Sequence, residues 1–509
     1  MQLSKENLKN ITTQPGLVIP GEEIFNLPEK ILQFGTGVLL RGLPDYFIDK
    51  ANRNGMFNGR IVVIKSTSNG DTDAFQQQDS LYTLCVRGIE DGKEIEETII
   101  NSSISRVLSA NDDWKTILEC AHNSAMQIII SNTTEVGIVL TQDNIHLSPP
   151  RSFPGKLLAF LYKRYKAFSG SNETGMVIIP TELLPDNGDK LRSIIIELAK
   201  MNKLENSFIN WLQTANHFCN SLVDRIVPGK LPGENKINIE KKLGYKDELM
   251  IMAESFRLWA IESDNKKVKE MLSFSKTDDG VVITDDIEKF RELKLRLLNG
   301  THTFSCGLSY LAGFTTVKEA MSNEAMFSFI YNLAMQEIAS AIVDEKISYH
   351  EASVFAAKVM DRFRNPYLDH SWMNITVQYS SKMKMRNIPL ILKYYDKTDQ
   401  PPEYMALGFA SYLLFMKGVR NDKEEYIGHT INDTEYLIQD DYASYFAAKW
   451  KNSNVDEVVD SVLTDTALWE TDLSLLNGFA ELVKANTRSL MNNGVMATML
   501  QMQLNKITV

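Results

Sequence analysis

From about residue 30, short aliphatic runs alternate with helical stretches, which restricts the first half of the chain to a parallel, doubly wound sheet covered by helices. The runs are Ile31-Leu-Gln-Phe34, Ile61-Val-Val-Ile64, Met126-Gln-Ile-Ile-Ile130 and Met176-Val-Ile-Ile179. Each is short enough for one buried strand. Between the second and third runs, residues 81–86 and 95–100 flank Asp91-Gly92, a pair that accepts the positive φ angles of a tight turn. An antiparallel hairpin inserted in the sheet is expected there. Beyond the fourth run, Leu191, Ile194, Ile195, Leu198 and Met201 recur at helical spacing, with Asp186 and Asn187 as candidate caps. A second helix follows through Leu204, Phe208, Trp211 and Leu212.

Past about residue 285 the strand-like runs fade. Long amphipathic stretches at 320–343, 351–363 and 404–416 predict a mainly α-helical C-terminal domain. At 509 residues the chain is too long for one ordinary core. Two domains are expected: an α/β domain over residues 1–285 and a helical domain over 286–509.

The first run leads directly into Gly35-Thr36-Gly37-Val-Leu-Leu40-Arg41. Glycines after a buried strand permit a tight turn and let backbone N–H groups approach a pyrophosphate at a helix N-terminus. The third glycine of G-x-G-x-x-G is Leu40 here, and a lone G-x-G also occurs in ordinary strand-to-helix turns. The second run ends in Lys65-Ser66-Thr67, without the acidic residue that accepts ribose hydroxyls. Lys65 suits the extra phosphate of NADP, or is a solvated lysine at a strand end, so the turn alone does not choose a cofactor.

A net charge of −11 disfavours nucleic acid and anionic membrane as partners. No run of about 18 apolar residues occurs, and the first residues have no apolar core of a signal peptide. The expectation is a cytoplasmic protein with a small-molecule partner. The four cysteines, 85, 120, 219 and 306, are too dispersed for a disulfide framework and read as buried thiols. The seven histidines show no H-x-x-H or H-x3-H pair, so no metal site is expected.

Residues Lys294-Leu-Arg-Leu-Leu-Asn299-Gly-Thr-His302 form K-x4-N-x2-H on a predicted helix. At α-helical spacing the three polar groups fall within an arc of about 140°. A partly desolvated lysine can shuttle a proton to or from a hydroxyl, while an amide and an imidazole stabilise the developing alkoxide. The same spacing also fits an exposed lysine, an asparagine ahead of Gly300 and a core histidine.

With this motif and four further segments, the chain resembles the long-chain polyol dehydrogenases, the mannitol dehydrogenase family. The segments are Phe34-Gly-Thr-Gly37 with Arg41, Ser131-Asn-Thr-Thr-Glu135-Val-Gly137, Asn220-Ser-Leu-Val-Asp224-Arg225-Ile-Val-Pro228, and Arg362-Phe-Arg-Asn-Pro366 with Asp369-His370. The resemblance runs from about residue 30 to about 395. It implies an N-terminal Rossmann-like domain, a helical C-terminal domain, NAD as cofactor and no catalytic metal. It also implies Lys294 as general acid and base, Asn299 and His302 as oxyanion donors, and Asp224 in or beside the substrate cleft. Phe34, Gly35, Thr36, Gly37, Arg41 and Lys65 become the candidate cofactor residues. Glu135 is a substrate candidate that equally suits a structural role.

Within the family, the mannitol-type segment has an oxyanion-holding asparagine where this chain has Leu183. The pair Glu182-Leu183 and residues 216–227 are similar instead to the hexuronate branch. A sugar-acid substrate follows, and its carboxylate needs a cation. Lys382, Lys384, Arg386 and Arg225 are the candidates, although each also fits a solvated surface charge. A mannitol-type dehydrogenase would not need that cation, and a sugar-acid-binding protein would not need a proton donor.

Overall fold

The computed structural model describes residues 1–66, 72–133, 137–229, 231 and 233–507. Two compact units form: Met1–Gly88 with Glu94–Ile287, and Ile89–Lys93 with Glu288–Val509.

The first unit is built on six parallel strands in the order Ile104–Ser109, Arg60–Lys65, Glu29–Phe34, Ile128–Ser131, Val177–Pro180 and His217–Phe218. Numbered along the chain, that is 3-2-1-4-5-6, the order of dinucleotide-binding sheets. Each aliphatic run feeds two cores because alternate side chains leave opposite faces. Ile31, Ile61, Val63, Ile128, Ile130, Val177 and Ile179 enter one core, shared with Leu40, Leu43 and Phe47 of the helices Val38–Gly42 and Pro44–Arg53 and the residue between them. Leu32, Phe34, Val62, Ile64, Ile129 and Ile178 enter the other, against helices Phe153–Ala167 and Asn187–Met201.

The hairpin forms from Tyr82–Glu90 and Lys93–Asn101, with Asp91 at φ 52° and Gly92 at φ 73°, the two positive angles of a type I′ turn. Its strands do not enter the parallel sheet. They pair between Leu17–Val18 and Ile251–Glu254 in a second, four-stranded sheet. The edge beside Arg60–Lys65 is taken by Ile104–Ser109, whose Ile-Ser-Arg-Val-Leu-Ser is too polar to stand out as a buried run. A third sheet joins Ser221–Asp224, Leu258–Glu262 and Val281–Thr284.

Asp186 caps nothing through its side chain. Asn187 is a buried tie instead. Its amide donates to the carbonyls of Pro180, Glu182 and Ser221 and accepts from the Gly188 and Ser221 N–H groups.

The second unit is mainly helical. The expected stretch at 320–343 is broken: one helix, Val317–Met321, stops, and Asn323 caps the next, Glu324–Asn332, through the Met326 N–H. Helix Glu403–Phe415 is buried on nearly every side rather than amphipathic, and Glu337 accepts the N–H groups of Tyr404 and Met405 at its start. Gly418–Arg420, Tyr426–His429 and Glu435–Leu437 form a small antiparallel sheet absent from the sequence reading. The four cysteines are buried thiols. No helix among the described residues is long and apolar enough to cross a membrane.

Candidate active site

In the first unit, strand Glu29–Phe34 passes into Gly35-Thr36-Gly37 and then helix Val38–Gly42. This turn stands where the strand order reverses, between Glu29–Phe34 and Ile128–Ser131, the place at which doubly wound sheets leave a crevice. The two glycines have different reasons. Gly35 has φ +127°, and a Cβ there would lie 2.9 Å from the Asn132 carbonyl oxygen and 2.9 Å from Leu40 Cδ1. At Gly37 φ is −62°, and a Cβ would meet nothing within 4 Å among the described residues. Gly35 makes the turn, and Gly37 leaves open space for a close approach.

The neighbouring strand end is held from the side by a residue not chosen from sequence. Buried Glu182 accepts from Ser131 Oγ at 3.1 Å, Thr133 N–H at 2.9 Å and Thr133 Oγ at 3.0 Å. Burial raises its pKa, and those hydrogen bonds oppose the rise. Asn132 N–H donates to the Phe34 carbonyl at 3.1 Å, so this braced segment lies against the glycine turn. Leu183, beside Glu182, is 62% exposed.

Two arginine expectations are corrected. Arg41 turns inward, donating to the Leu249 carbonyl at 2.6 Å with its guanidinium over the rings of Phe75 and Tyr82. Arg225 is buried as well, donating to the carbonyls of Glu254 at 2.9 Å and Gly42 at 2.6 Å over the Tyr46 ring. Burial lowers both pKa values, that of Arg225 to about 10. Arg225 and the Tyr82 hydroxyl, which donates to the Arg41 carbonyl, satisfy the end of helix Val38–Gly42. These arginines brace the turn; neither is placed to grip a phosphate or a carboxylate.

Phe34 also changes role: its ring is core, edge-on to Phe153 at 5.1 Å, and only its backbone reaches the turn. Thr36 is half-buried within the turn. Lys65 is the buried last residue of its strand, and Asp224 the buried last residue of Ser221–Asp224, opposite Leu258. Glu135 lies outside the described residues.

In the second unit Lys294–Gly300 is a π-helical turn rather than α-helix. Its bonds run from i to i+5, so Lys294 and Asn299, five apart, fall closer to one side than the roughly 140° of an α-helix would allow. The expected arc is thereby corrected. His302 follows in helix Thr301–Leu311. Its ring stacks on Phe363 at 4.1 Å and meets His370 and Trp372 edge-on. Burial, followed by the nearby His370, Arg362, Arg386 and Lys382, holds its pKa well below the usual histidine range. The ring is therefore a neutral imidazole, and its buried Nε2 has no hydrogen-bond partner among the described residues.

The carboxylate candidates separate. Lys384 pairs with Glu470 at 2.9 Å. Lys382 donates to the Ile375 carbonyl at 2.8 Å, and burial followed by Arg386 lowers its pKa. Arg386, on a second π-turn at Met383–Asn387, donates to Thr303 Oγ at 3.2 Å, beside His302. Its buried Nε has no partner among the described residues. Burial lowers its pKa, which leaves it cationic. No group of three or more His, Cys, Asp or Glu among the described residues is arranged to hold a metal ion.

Residues 29–273 match the mannitol dehydrogenase Rossmann domain, and residues 286–491 match the mannitol dehydrogenase C-terminal domain. The chain belongs to the mannitol dehydrogenase family. It is thus an oxidoreductase acting on CH–OH groups. It is 36% identical to an altronate oxidoreductase of Halalkalibacterium halodurans over 92% of each chain. It is 38% identical to one of Bacillus subtilis over 88% of this chain and 89% of that one. Among solved structures, mannitol 2-dehydrogenase of Pseudomonas fluorescens, in a ternary complex with NAD and D-mannitol, covers 99% of both chains at 22% identity and TM-score 0.66. A D-sorbitol dehydrogenase reaches TM-score 0.77 at 19% identity, over 98% of this chain and 100% of its own. At these identities the two structures speak for the fold alone.

Glu182 and His370 lay in segments that carried the family resemblance, but the burial of the first and the contact of the second with the His302 ring were invisible there. Arg296, inside the catalytic pattern, reads from sequence as one more helical charge.

Proposed function

We propose that this protein interconverts D-tagaturonate and D-altronate with NAD(H) and without a catalytic metal. The observation that carries the reading is the grouping in the second unit: Lys294 and Asn299 on one π-turn, neutral His302 just beyond it, and the Arg386 guanidinium at Thr303. A proton donor, two hydrogen-bonding groups and a cation suit reduction of a keto acid. The relatives at 36% and 38% identity, both altronate oxidoreductases, support this substrate class.

The turn fits NAD: Gly35 supplies the positive φ, open Gly37 admits the pyrophosphate, and Thr36 lies between them. NADH held there would supply the hydride for reduction of the carbonyl. Lys294 gives a proton to the carbonyl oxygen as it becomes a hydroxyl and takes it back in the oxidation. Asn299 and His302 donate hydrogen bonds to that oxygen while it carries charge. Arg386 pairs with the substrate carboxylate, and Lys382 adds positive potential.

The test is NADH oxidation by EDTA-treated protein with D-tagaturonate, D-fructuronate and D-fructose in parallel, with Lys294→Ala as control. Turnover of tagaturonate alone, reduced at least about a hundredfold in the variant, is expected. Faster turnover of fructuronate or fructose refutes the substrate, loss of activity on EDTA treatment refutes metal independence, and full activity of Lys294→Ala refutes the acid–base assignment.

A further inference from the structure

Arg296 lies between Lys294 and Asn299 in the π-turn, and its side chain is buried. Its guanidinium works in two directions. Towards its own helix, Nε and Nη2 donate to the two oxygens of Glu292 at 3.1 and 3.3 Å. Towards the second π-turn, Nη1 donates to the carbonyls of Met385 at 3.0 Å and Arg386 at 2.7 Å.

The Met385 carbonyl needs an outside donor for a reason written in the sequence. Four residues after Met385 comes Pro389, which has no N–H to offer the helical ladder. The widened turn rearranges the remaining bonds. Arg296 supplies donors where the ladder is short of them.

Two further ties join the same turns. Asn387 Nδ2 donates to the Gly300 carbonyl at 3.3 Å. Arg386 reaches Thr303 Oγ, which itself donates to the Asn299 carbonyl at 2.8 Å. The approach is close: a Cβ on Gly300 would lie 2.9 Å from Leu390 Cδ1. The turn bearing Lys294 and Asn299 and the turn bearing Arg386 are therefore knitted into one piece, with the planar fork of Arg296 as its stiffest member.

We infer that Arg296 is a positioning residue that fixes Arg386 relative to Lys294, Asn299 and His302, and so sets the preference for a keto acid over an uncharged analogue. This rests on the reading of Arg386 as the carboxylate receptor. Arg296 acts through the carbonyls of the second turn and touches no substrate. A displacement of Arg386 weakens capture of the carboxylate more than it slows proton transfer, which gives the inference a kinetic signature.

The experiment compares the parent with Arg296→Lys, Arg296→Met and the milder Glu292→Gln, which loosens the fork but keeps its carbonyl bonds. The measurements are kcat and KM for D-tagaturonate, kcat/KM for its methyl ester, and NADH affinity as a check on folding. In Arg296→Met, KM for the acid should rise about tenfold or more while kcat stays within about threefold, and kcat/KM for the ester should hold. Arg296→Lys and Glu292→Gln should show smaller shifts in the same direction. The inference is overturned if kcat falls with KM unchanged, or if acid and ester lose kcat/KM by the same factor. A parent enzyme that does not prefer the acid to its ester refutes the carboxylate reading itself, and that result is seen before any variant is made.

Discussion

Asp45, in helix Pro44–Arg53, is wholly buried, and burial raises its pKa to about 8 against the opposing effects of Gln33 and Arg41. Gln33 Nε2 donates to one carboxyl oxygen at 3.4 Å, while the other oxygen and Gln33 Oε1 have no partner among the described residues. A protonated carboxyl resolves both, because its hydroxyl can donate to the glutamine oxygen. In the unfolded chain the group ionises near pH 4, so between about pH 4 and pH 8 the folded state holds the extra proton. Stability therefore falls as pH rises through that window, by at most about 1.4 kcal/mol per pH unit, and levels off above it. Asp45→Asn mimics the neutral acid, so its Tm should change less than the parent's between pH 5 and pH 8. Equal declines in both proteins would remove Asp45 as the cause. At this scale the sequence revealed residue types better than their directions. Lysine, asparagine and histidine at family spacing were easy to single out, whereas a long arginine side chain can turn either way from its backbone. Arg41 and Arg225 both turned inward to buried carbonyls that needed donors: Arg41 to that of Leu249, just before strand Ile251–Glu254, and Arg225 to that of Gly42 at a helix end.

Helix Thr301–Leu311, which carries His302, depends on a close crossing with helix Glu403–Phe415. A Cβ on Gly408 would lie 2.9 Å from the Cβ, Cδ1 and backbone oxygen of Phe304. Since backbone is among the atoms met, the neighbour cannot rotate out of the way. Gly408→Ala should cost about 1–3 kcal/mol by overpacking, read as a lower Tm and an earlier urea midpoint. A variant as stable as the parent would mean that the crossing yields easily. Long, strongly patterned elements were visible in the sequence: the aliphatic strands, the hairpin and helix Asn187–Met201. What escaped was short or shaped by tertiary contact. The pattern of residues 404–416 predicts an amphipathic helix, yet burial on nearly all sides is set by what surrounds the helix, which local periodicity does not record. The π-turns escaped for a similar reason, since the ties from Arg296 and Asn387 come from neighbouring turns.

For the whole molecule, the parallel sheet could be read from the runs, but the strand order could not. Two of the six strands, Ile104–Ser109 and His217–Phe218, are too polar or too short to announce themselves, and they sit at the sheet's edges where one neighbour suffices. The order decides where the crevice lies, and the crevice decides what the two glycines do. Because strands 1 and 4 of the 3-2-1-4-5-6 series are neighbours, the turn after Phe34 faces the segment after Ser131, and Gly37 is left with no neighbour for a Cβ within 4 Å among the described residues. An alanine there adds no strain, as φ is −62°, so Gly37→Ala should match the parent's Tm without cofactor. A ligand at about a hundred times its Kd adds about 2.7 kcal/mol of stability, so NADH should raise the parent's Tm clearly. The Gly37→Ala methyl occupies the space the pyrophosphate approaches, so NADH affinity should fall about tenfold or more and about half of that shift or more should vanish at equal concentration. Gly35→Ala should behave in the opposite way, losing stability before any cofactor is added, because its φ of +127° and the 2.9 Å approach to Asn132 strain the turn itself. If Gly37→Ala kept the full NADH shift, the cofactor would have to lie away from the point where the strand order reverses.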